Sequence, residues 1–408
     1  MGAATKSFLC LAVFLISSNA QPVKEQLTIE EVTPLILFRE SKPLQLQPEC
    51  RIASSSSKVE FTWQKDGKPL KYQPTAEGLV IPKPSAEDEG QYQCFAKTSL
   101  GTATSGIISL RRTYLNIPSK VIKAKYTPEE GKPFKLDCPI PEAHPKPAIL
   151  WTYEVTTPRI TTGPDGALYF SNVTKEDANN TKYVCDTVSP AYDHRINLYE
   201  YELEGIKENK EKSGGLVPQF LSQEMTVEAG LPAMLYCIYG GTPLAYPDWF
   251  FEGKNVNGKP GDRVTRHNRT GGKRLLIKNA LLSDQGTYTC EANNEIDRPQ
   301  RHTIKLNVVA APMYLKKPES VISAPAGQDI IVNCEVEGRP APQISWTYNA
   351  QPLKESDIIS ISNGPSEETR TAAKLTIKKA QKSNIGYYGC RTENEHGVSY
   401  AESLIVIS

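Results

Sequence analysis

The sequence predicts an all-β chain of four tandem β-sandwich domains, each closed by one disulfide. Three observations predict it. Eight of the cysteines fall into pairs 44, 47, 53 and 56 residues apart: Cys50/Cys94, Cys138/Cys185, Cys237/Cys290 and Cys334/Cys390. Each of the tryptophans, Trp63, Trp151, Trp249 and Trp346, stands 12 or 13 residues after the first Cys of a pair. A tyrosine stands two residues before every second Cys, as Tyr92, Tyr183, Tyr288 and Tyr388. A register kept four times is an internal repeat.

The chain opens on a processing signal. Lys6 gives a positive start, Phe8 to Ile16 is apolar, and Ser18-Asn19-Ala20 offers small residues before a cleavage ahead of Gln21, so residues 1–20 read as a signal peptide. The apolar run is too short for a bilayer, which needs about 20 residues. Cleavage removes Cys10 and turns nine cysteines into eight, an even number suited to pairing outside the cell. The chain ends on Ile405-Val406-Ile407-Ser408, which reads as a last strand and is too short for a membrane span or lipid-anchor signal. A released extracellular protein with no integral membrane segment is expected.

Eight cysteines allow about a hundred connectivities, so their neighbours must decide the pairing. An apolar pair at i, i+2 precedes each corner: Leu79/Ile81, Leu168/Phe170, Leu275/Ile277 and Leu375/Ile377. That spacing puts both side chains on one face of a strand. Nine residues after each leucine comes Asp88, Asp177, Asp284 or Asn384. A Trp packed on a disulfide between two sheets, with a Tyr returning its hydroxyl to the corner before the second Cys, is the pattern of the immunoglobulin sandwich. The fold expected is therefore four immunoglobulin-like domains of I-set or C2-like type. In the chain-entropy model each such disulfide contributes about 4 kcal/mol. Two copies depart from the register. Domain two has two extra residues and no Gly between Asp177 and Tyr183, so its corner must be built differently. In domain one Pro48 removes a ladder donor near Cys50, so that strand is expected to be irregular.

The domains are read as residues 21–113, 114–205, 216–310 and 311–408, with 206–215 a linker. The first and last joints are short. The stretch from Leu203 to Val217 is polar, contains Ser213-Gly214-Gly215 and lacks apolar periodicity, as an exposed linker should. It is long enough for domain three to turn back alongside domain two. A folded-back horseshoe is expected, with domains 1 and 4 facing each other and domains 2 and 3 doing the same.

Leu37-Phe38-Arg39-Glu40-Ser41, Trp63-Gln64-Lys65-Asp66-Gly67-Lys68, Asp88-Glu89-Gly90-Gln91-Tyr92, and Ala103-Thr104-Ser105 leading to Arg111-Arg112-Thr113-Tyr114 resemble the hemolin family. These are secreted four-domain immunoglobulin proteins of lepidopteran haemolymph, similar in turn to the first domains of L1/neuroglian-type adhesion molecules. The resemblance implies an innate-immune recognition protein that binds bacterial lipopolysaccharide and lipoteichoic acid, associates with the haemocyte surface, modulates cell adhesion and self-associates; it implies the horseshoe as well. The alternative is a secreted neural-type homophilic adhesion or guidance protein without microbial binding.

No chemistry of catalysis is legible. The five histidines are scattered, no paired Cys remains free as nucleophile, and neither a zinc-ligand spacing nor a phosphate-binding Gly loop occurs. No enzyme activity, cofactor or metal is expected. With 47 basic and 46 acidic residues the chain lacks the basic excess of a nucleic-acid binder. One basic run stands out: Lys254, Lys259, Arg263, Arg266, Arg269, Lys273, Arg274 and Lys278, opposed only by Asp262. Gly271-Gly272 should turn tightly there and bring Arg269 close to Lys273. Lys259, Arg263, Arg266, Arg269, Lys273 and Arg274 are the candidate anion site, since guanidinium and ammonium groups suit the phosphates of lipid A and teichoic acids. The same run also reads as a solvated edge whose charge discourages sheet-to-sheet pairing. Asn172, Asn179 and Asn268 head Asn-x-Ser/Thr sequons and are candidate glycosylation sites; a glycan on Asn268 would partly cover the anion site.

Overall fold

The computed structural model describes residues 28–40, 42–46, 52, 59–70, 79–152, 157–179, 182–210, 214–364 and 367–408. The signal segment, Cys10, Pro48 and Cys50 lie outside the described residues, so the irregularity expected at Pro48 does too. The architecture is all-β: apart from short 3₁₀ turns, every described element is a strand.

Each sandwich is built around its repeat. Where Trp and the second Cys lie on paired strands they stand opposite each other: Trp63 with Cys94, Trp151 with Cys185, Trp249 with Cys290 and Trp346 with Cys390. All four tryptophans are buried. Disulfides join Cys138–Cys185, Cys237–Cys290 and Cys334–Cys390. Cys94 is disulfide-bonded as well. The apolar i, i+2 pairs line the cores, with Leu79, Ile81, Leu168, Phe170, Leu275, Ile277, Leu375 and Ile377 all buried.

The corner before the second Cys recurs with one chemistry. A 3₁₀ turn ends on Asp88, Asp284 or Asn384, and in domain two Asp177 lies inside a longer turn, Lys175–Asn179. The two extra residues there lengthen the turn and leave its hydrogen bonds intact. The Asp or Asn carboxyl or amide oxygen accepts from the backbone N–H three residues earlier, at Ser85, Thr174, Leu281 and Gln381 (2.7–2.9 Å). Its own carbonyl accepts the tyrosine hydroxyl: Tyr92 to Asp88 (2.8 Å), Tyr183 to Asp177 (2.9 Å), Tyr288 to Asp284 (3.1 Å) and Tyr388 to Asn384 (3.1 Å). One residue thus closes the turn with its side chain and anchors the neighbouring strand with its backbone.

Two strands run through domain joints. Ile108–Leu115 pairs with Leu35–Arg39 and Gly90–Tyr92 of domain one, then with Ala143–His144 of domain two. Gln300–Lys316 pairs with Gly286–Ala292 in domain three and, beyond a bulge, with Ile330–Arg339 in domain four. Domains one and two, and domains three and four, are thereby held as two rods. The central joint differs from the expected linker. Ile206 packs on the domain-two core, Lys207 pairs with Glu129, and a strand begins at Gly214. Glu204 and Lys207 N–H donate to Tyr126 and Pro128 carbonyls of domain two, and Gly214 pairs with Thr242 of domain three, partners that composition does not reveal.

The rods lie back to back in a horseshoe. Domains two and three meet through one sheet of each. Ala167, Tyr169, Phe220, Tyr236 and Ile238 form the apolar centre. Around it, Gly241 N–H donates to Ser171 O (2.8 Å), Thr242 Oγ1 donates to Gly131 O (2.9 Å), and Gln219 Nε2 donates to Phe170 O (3.0 Å). Gly240 sits where no side chain fits: a Cβ there would lie 2.5 Å from Pro133 Cγ and 2.9 Å from Ser171 O.

Two outcomes test this account. Gly240→Val should force domains two and three apart, raising the maximum dimension in small-angle scattering while leaving far-ultraviolet circular dichroism unchanged. Tyr288→Phe removes one buried hydrogen bond and should lower the unfolding free energy of domain three by about 1–2 kcal/mol in denaturant titration.

Candidate functional site

The basic run of domain three is dispersed by the fold. Arg263 donates two hydrogen bonds to Asp284, at 2.6 and 2.7 Å, so the corner carboxylate already claims it. Domain two has the same device in Arg159 and Asp177, at 2.7 and 2.7 Å. Arg266 is paired with Asp248 at 2.6 Å. Gly271 adopts the left-handed conformation (φ 62°) after a 3₁₀ turn over Asn268–Thr270, which does give the tight turn expected. The turn leaves Arg269 exposed and carries Lys273 into the domain-two seam. There the Lys273 side chain is fully buried and its ammonium donates to Pro158 O. Burial pushes it down to about 8. Arg274 donates to Thr162 O across the same seam and lies over the Tyr236 ring at 5.5 Å.

The six residues Lys259, Arg263, Arg266, Arg269, Lys273 and Arg274 therefore do not form one anion cradle. Two are ion-paired within domain three, and two hold domains two and three together. Lys259 and Arg269 stay exposed, as do Lys254 and Lys278 on the same edge. Net charge along a sequence cannot reveal partners that folding brings from elsewhere. A signal was nonetheless available: Arg159 and Arg263 stand 18 and 21 residues before a corner Asp.

The sequons separate in the same way. Asn172 is turned into the domain-two/domain-three seam, where its Nδ2 donates to Gly241 O (3.2 Å) and Thr242 Oγ1 (3.1 Å). A glycan occupies that nitrogen, so the glycosylation expected at Asn172 is incompatible with the closed seam. Asn179 and Asn268 are exposed on 3₁₀ turns.

A second surface is the seam between domains one and four, which the folded-back arrangement anticipates without naming its residues. The sheet carrying Gly90–Thr98 and Gly101–Thr104 faces the sheet carrying Gly386–Asn394 and Gly397–Ile407. Ala96, Ala103, Tyr387 and Leu404 form its buried apolar centre. Glu402 Oε1 accepts the Thr104 N–H across it at 2.9 Å, and Lys317 pairs with Glu31 at 2.7 Å near its rim. An open cleft of about 480 Å³ runs beside these groups. Among the described residues no helix is long and apolar enough to cross a membrane, and no group of three or more His, Cys, Asp or Glu could hold a metal.

The immunoglobulin I-set domain model matches residues 217–308 and 312–406, and an immunoglobulin domain model matches 26–110. The chain is 45% identical to hemolin of Manduca sexta and 46% identical to hemolin of Lonomia obliqua, each over 99% of this chain and 100% of the relative. It is 32% identical to neuroglian of Drosophila melanogaster, over 87% of this chain but 28% of that protein. A crystal structure of the insect immune protein hemolin superposes with a TM-score of 0.84 at 42% identity, covering 94% of this chain and 100% of the other. That structure is described as a new domain arrangement with implications for homophilic adhesion.

Peptide mass measurement on protein secreted from insect cells should find Asn172 bare. Glycan mass is expected only on the peptides of Asn179 and Asn268.

Proposed function

This chain belongs to the hemolin family, and on that premise we propose that it is a secreted innate-immune recognition protein which binds bacterial surface glycolipids and haemocyte surfaces and modulates cell adhesion. At the coarser level it is an immunoglobulin protein of the immune and adhesion type, and not an enzyme. The observation that carries the finer reading is identity of 44–46% to three hemolins along the whole chain, in a fold that shares the arrangement of a solved hemolin.

Lipopolysaccharide and lipoteichoic acid both present phosphates. On this chain the groups still open to them on the domain-three edge are Lys259 and Arg269, with Lys254 and Lys278 beside them. An exposed edge of this kind contacts phosphate by charge and is weakened by salt. Self-association and haemocyte contact would use sheet edges and outer faces, since the inner faces of the horseshoe are occupied by the two seams.

Binding of lipopolysaccharide and of lipoteichoic acid to the intact protein, measured at low salt, tests the reading. The double variant Lys259→Ser/Arg269→Ser should bind about tenfold more weakly. Unchanged affinity retires this edge as the phosphate contact. Absence of binding to either glycolipid by the unaltered protein retires the microbial reading. The secreted adhesion reading, which the identity to neuroglian favours, would then stand in its place.

A further inference from the structure

The two seams of the horseshoe are built from different materials. The domain-two/domain-three seam is tied by backbone and amide hydrogen bonds around an apolar centre, with a glycine at the closest approach. The domain-one/domain-four seam has an apolar centre too, but its cross-domain polar contacts include a carboxylate, Glu402, with no cationic partner among the described residues. Glu402 Oε1 accepts from Thr104 N–H (2.9 Å) and its Oε2 is 3.0 Å from Tyr400 Oη. Tyr400 Oη is in turn 3.1 Å from Thr347 Oγ1. Gly389 leaves the space for the Tyr400 hydroxyl, since a Cβ there would lie 2.1 Å from it.

Among the described residues, the groups hydrogen-bonded to Glu402 and to its Tyr400 partner are neutral. From domain one comes the Thr104 N–H; from domain four come Tyr400 on the same strand and Thr347 behind it. The Tyr387 phenol at the apolar centre feels the Glu402 charge and is pushed up, mainly by burial. The charged groups along the adjoining cleft are Glu30, Glu31 and Lys317, and Lys317 is engaged by Glu31. Thr104 N–H and Tyr400 O–H both donate to this carboxyl and favour its charged form, but burial in the closed seam outweighs them. The protonated acid also fits the contacts, since its proton can sit between Glu402 and Tyr400 while the phenol turns its own hydrogen to Thr347.

We propose that the domain-one/domain-four seam is a proton-operated latch, shut over a protonated Glu402 and released when that carboxyl ionises. Opening would uncover the Ala96, Ala103, Tyr387 and Leu404 surface of both domains while the domain-two/domain-three seam stays closed as the hinge. Burial, the largest cause, raises the Glu402 carboxyl to about 8. In an open horseshoe it regains water and returns toward the ordinary carboxylate value near 4.5. Closing the seam therefore takes up a proton between those values. Closure is fully supported below the ordinary value and is lost as pH rises through about 8. The buried Lys273 of the other seam has the opposite sign. Its ammonium is the disfavoured form there, so rising pH tightens that seam.

Small-angle scattering of the intact chain across pH 5.5 to 9 tests the latch. The maximum dimension should grow as pH rises through about 8. Glu402→Gln keeps the shape of the side chain and cannot ionise, so it should stay compact across the range. Glu402→Ala removes the carboxyl without supplying an amide and should lose the pH dependence as well. Neither change touches Lys273. A maximum dimension that does not move with pH in the unaltered protein overturns the proposal. So does a shift of equal size that survives in both variants, or a Glu402→Gln protein already open at pH 5.5.

Discussion

Backbone hydrogen bonding that does not stop at domain joints is the constraint on which the shape of this molecule depends. Ile108–Leu115 and Gln300–Lys316 each belong to the sheets of two successive domains. A flexible joint would have to break a ladder to bend there, and buried ladder groups left without partners are costly. Four sandwiches thus behave as two rods. Everything else in the arrangement reduces to how the rods lie against each other. At the start of the chain between them, Lys207 N–H donates to Pro128 O and Asn209 Nδ2 to Glu130 O, so these residues belong to the domain-two surface.

What the sequence makes legible is whatever repeats. The corner residue does three things at once: it caps a 3₁₀ turn, receives a tyrosine hydroxyl and, in domains two and three, pairs with an arginine. Because each task depends on a fixed offset along the chain, Asp88, Asp177, Asp284 and Asn384 can be found without a structure. Their tolerance is also visible. Asn384 keeps the cap and the tyrosine contact with a neutral amide oxygen, so the charge is needed only where an arginine is present.

What stays hidden is whatever depends on a partner from another domain. Lys273 and Arg274 look like surface cations in sequence, and only the seam with domain two makes them structural. Asn172 looks like a glycan acceptor until domain three takes its amide hydrogens. Glu402 lies in the strand Gly397–Ile407, and nothing along that strand marks its contact with domain one. Side chains that serve a seam carry no periodic signature, since a seam is made from single residues on several strands.

The difference between the seams then follows from geometry. The domain-two/domain-three seam lies next to the turn of the chain, where the two sheets are brought together at once and backbone can meet backbone, as Gly241 and Ser171 do. The domain-one/domain-four seam lies at the far ends of two rods. Its contact is intramolecular, so the rods supply a high effective concentration, and even a weak interface closes. A weak interface is also one that a single titratable group can bias, because a population shift needs only a differential affinity comparable to the closing free energy. A carboxyl without a cation in the hinge seam would act against many hydrogen bonds and change little. At Glu402 it acts against an apolar patch, the backbone donors of Thr102 and Thr104, the Thr98–Tyr387 hydroxyl contact and the exposed Glu31–Lys317 pair, a smaller set over which one proton has leverage on the shape of the chain.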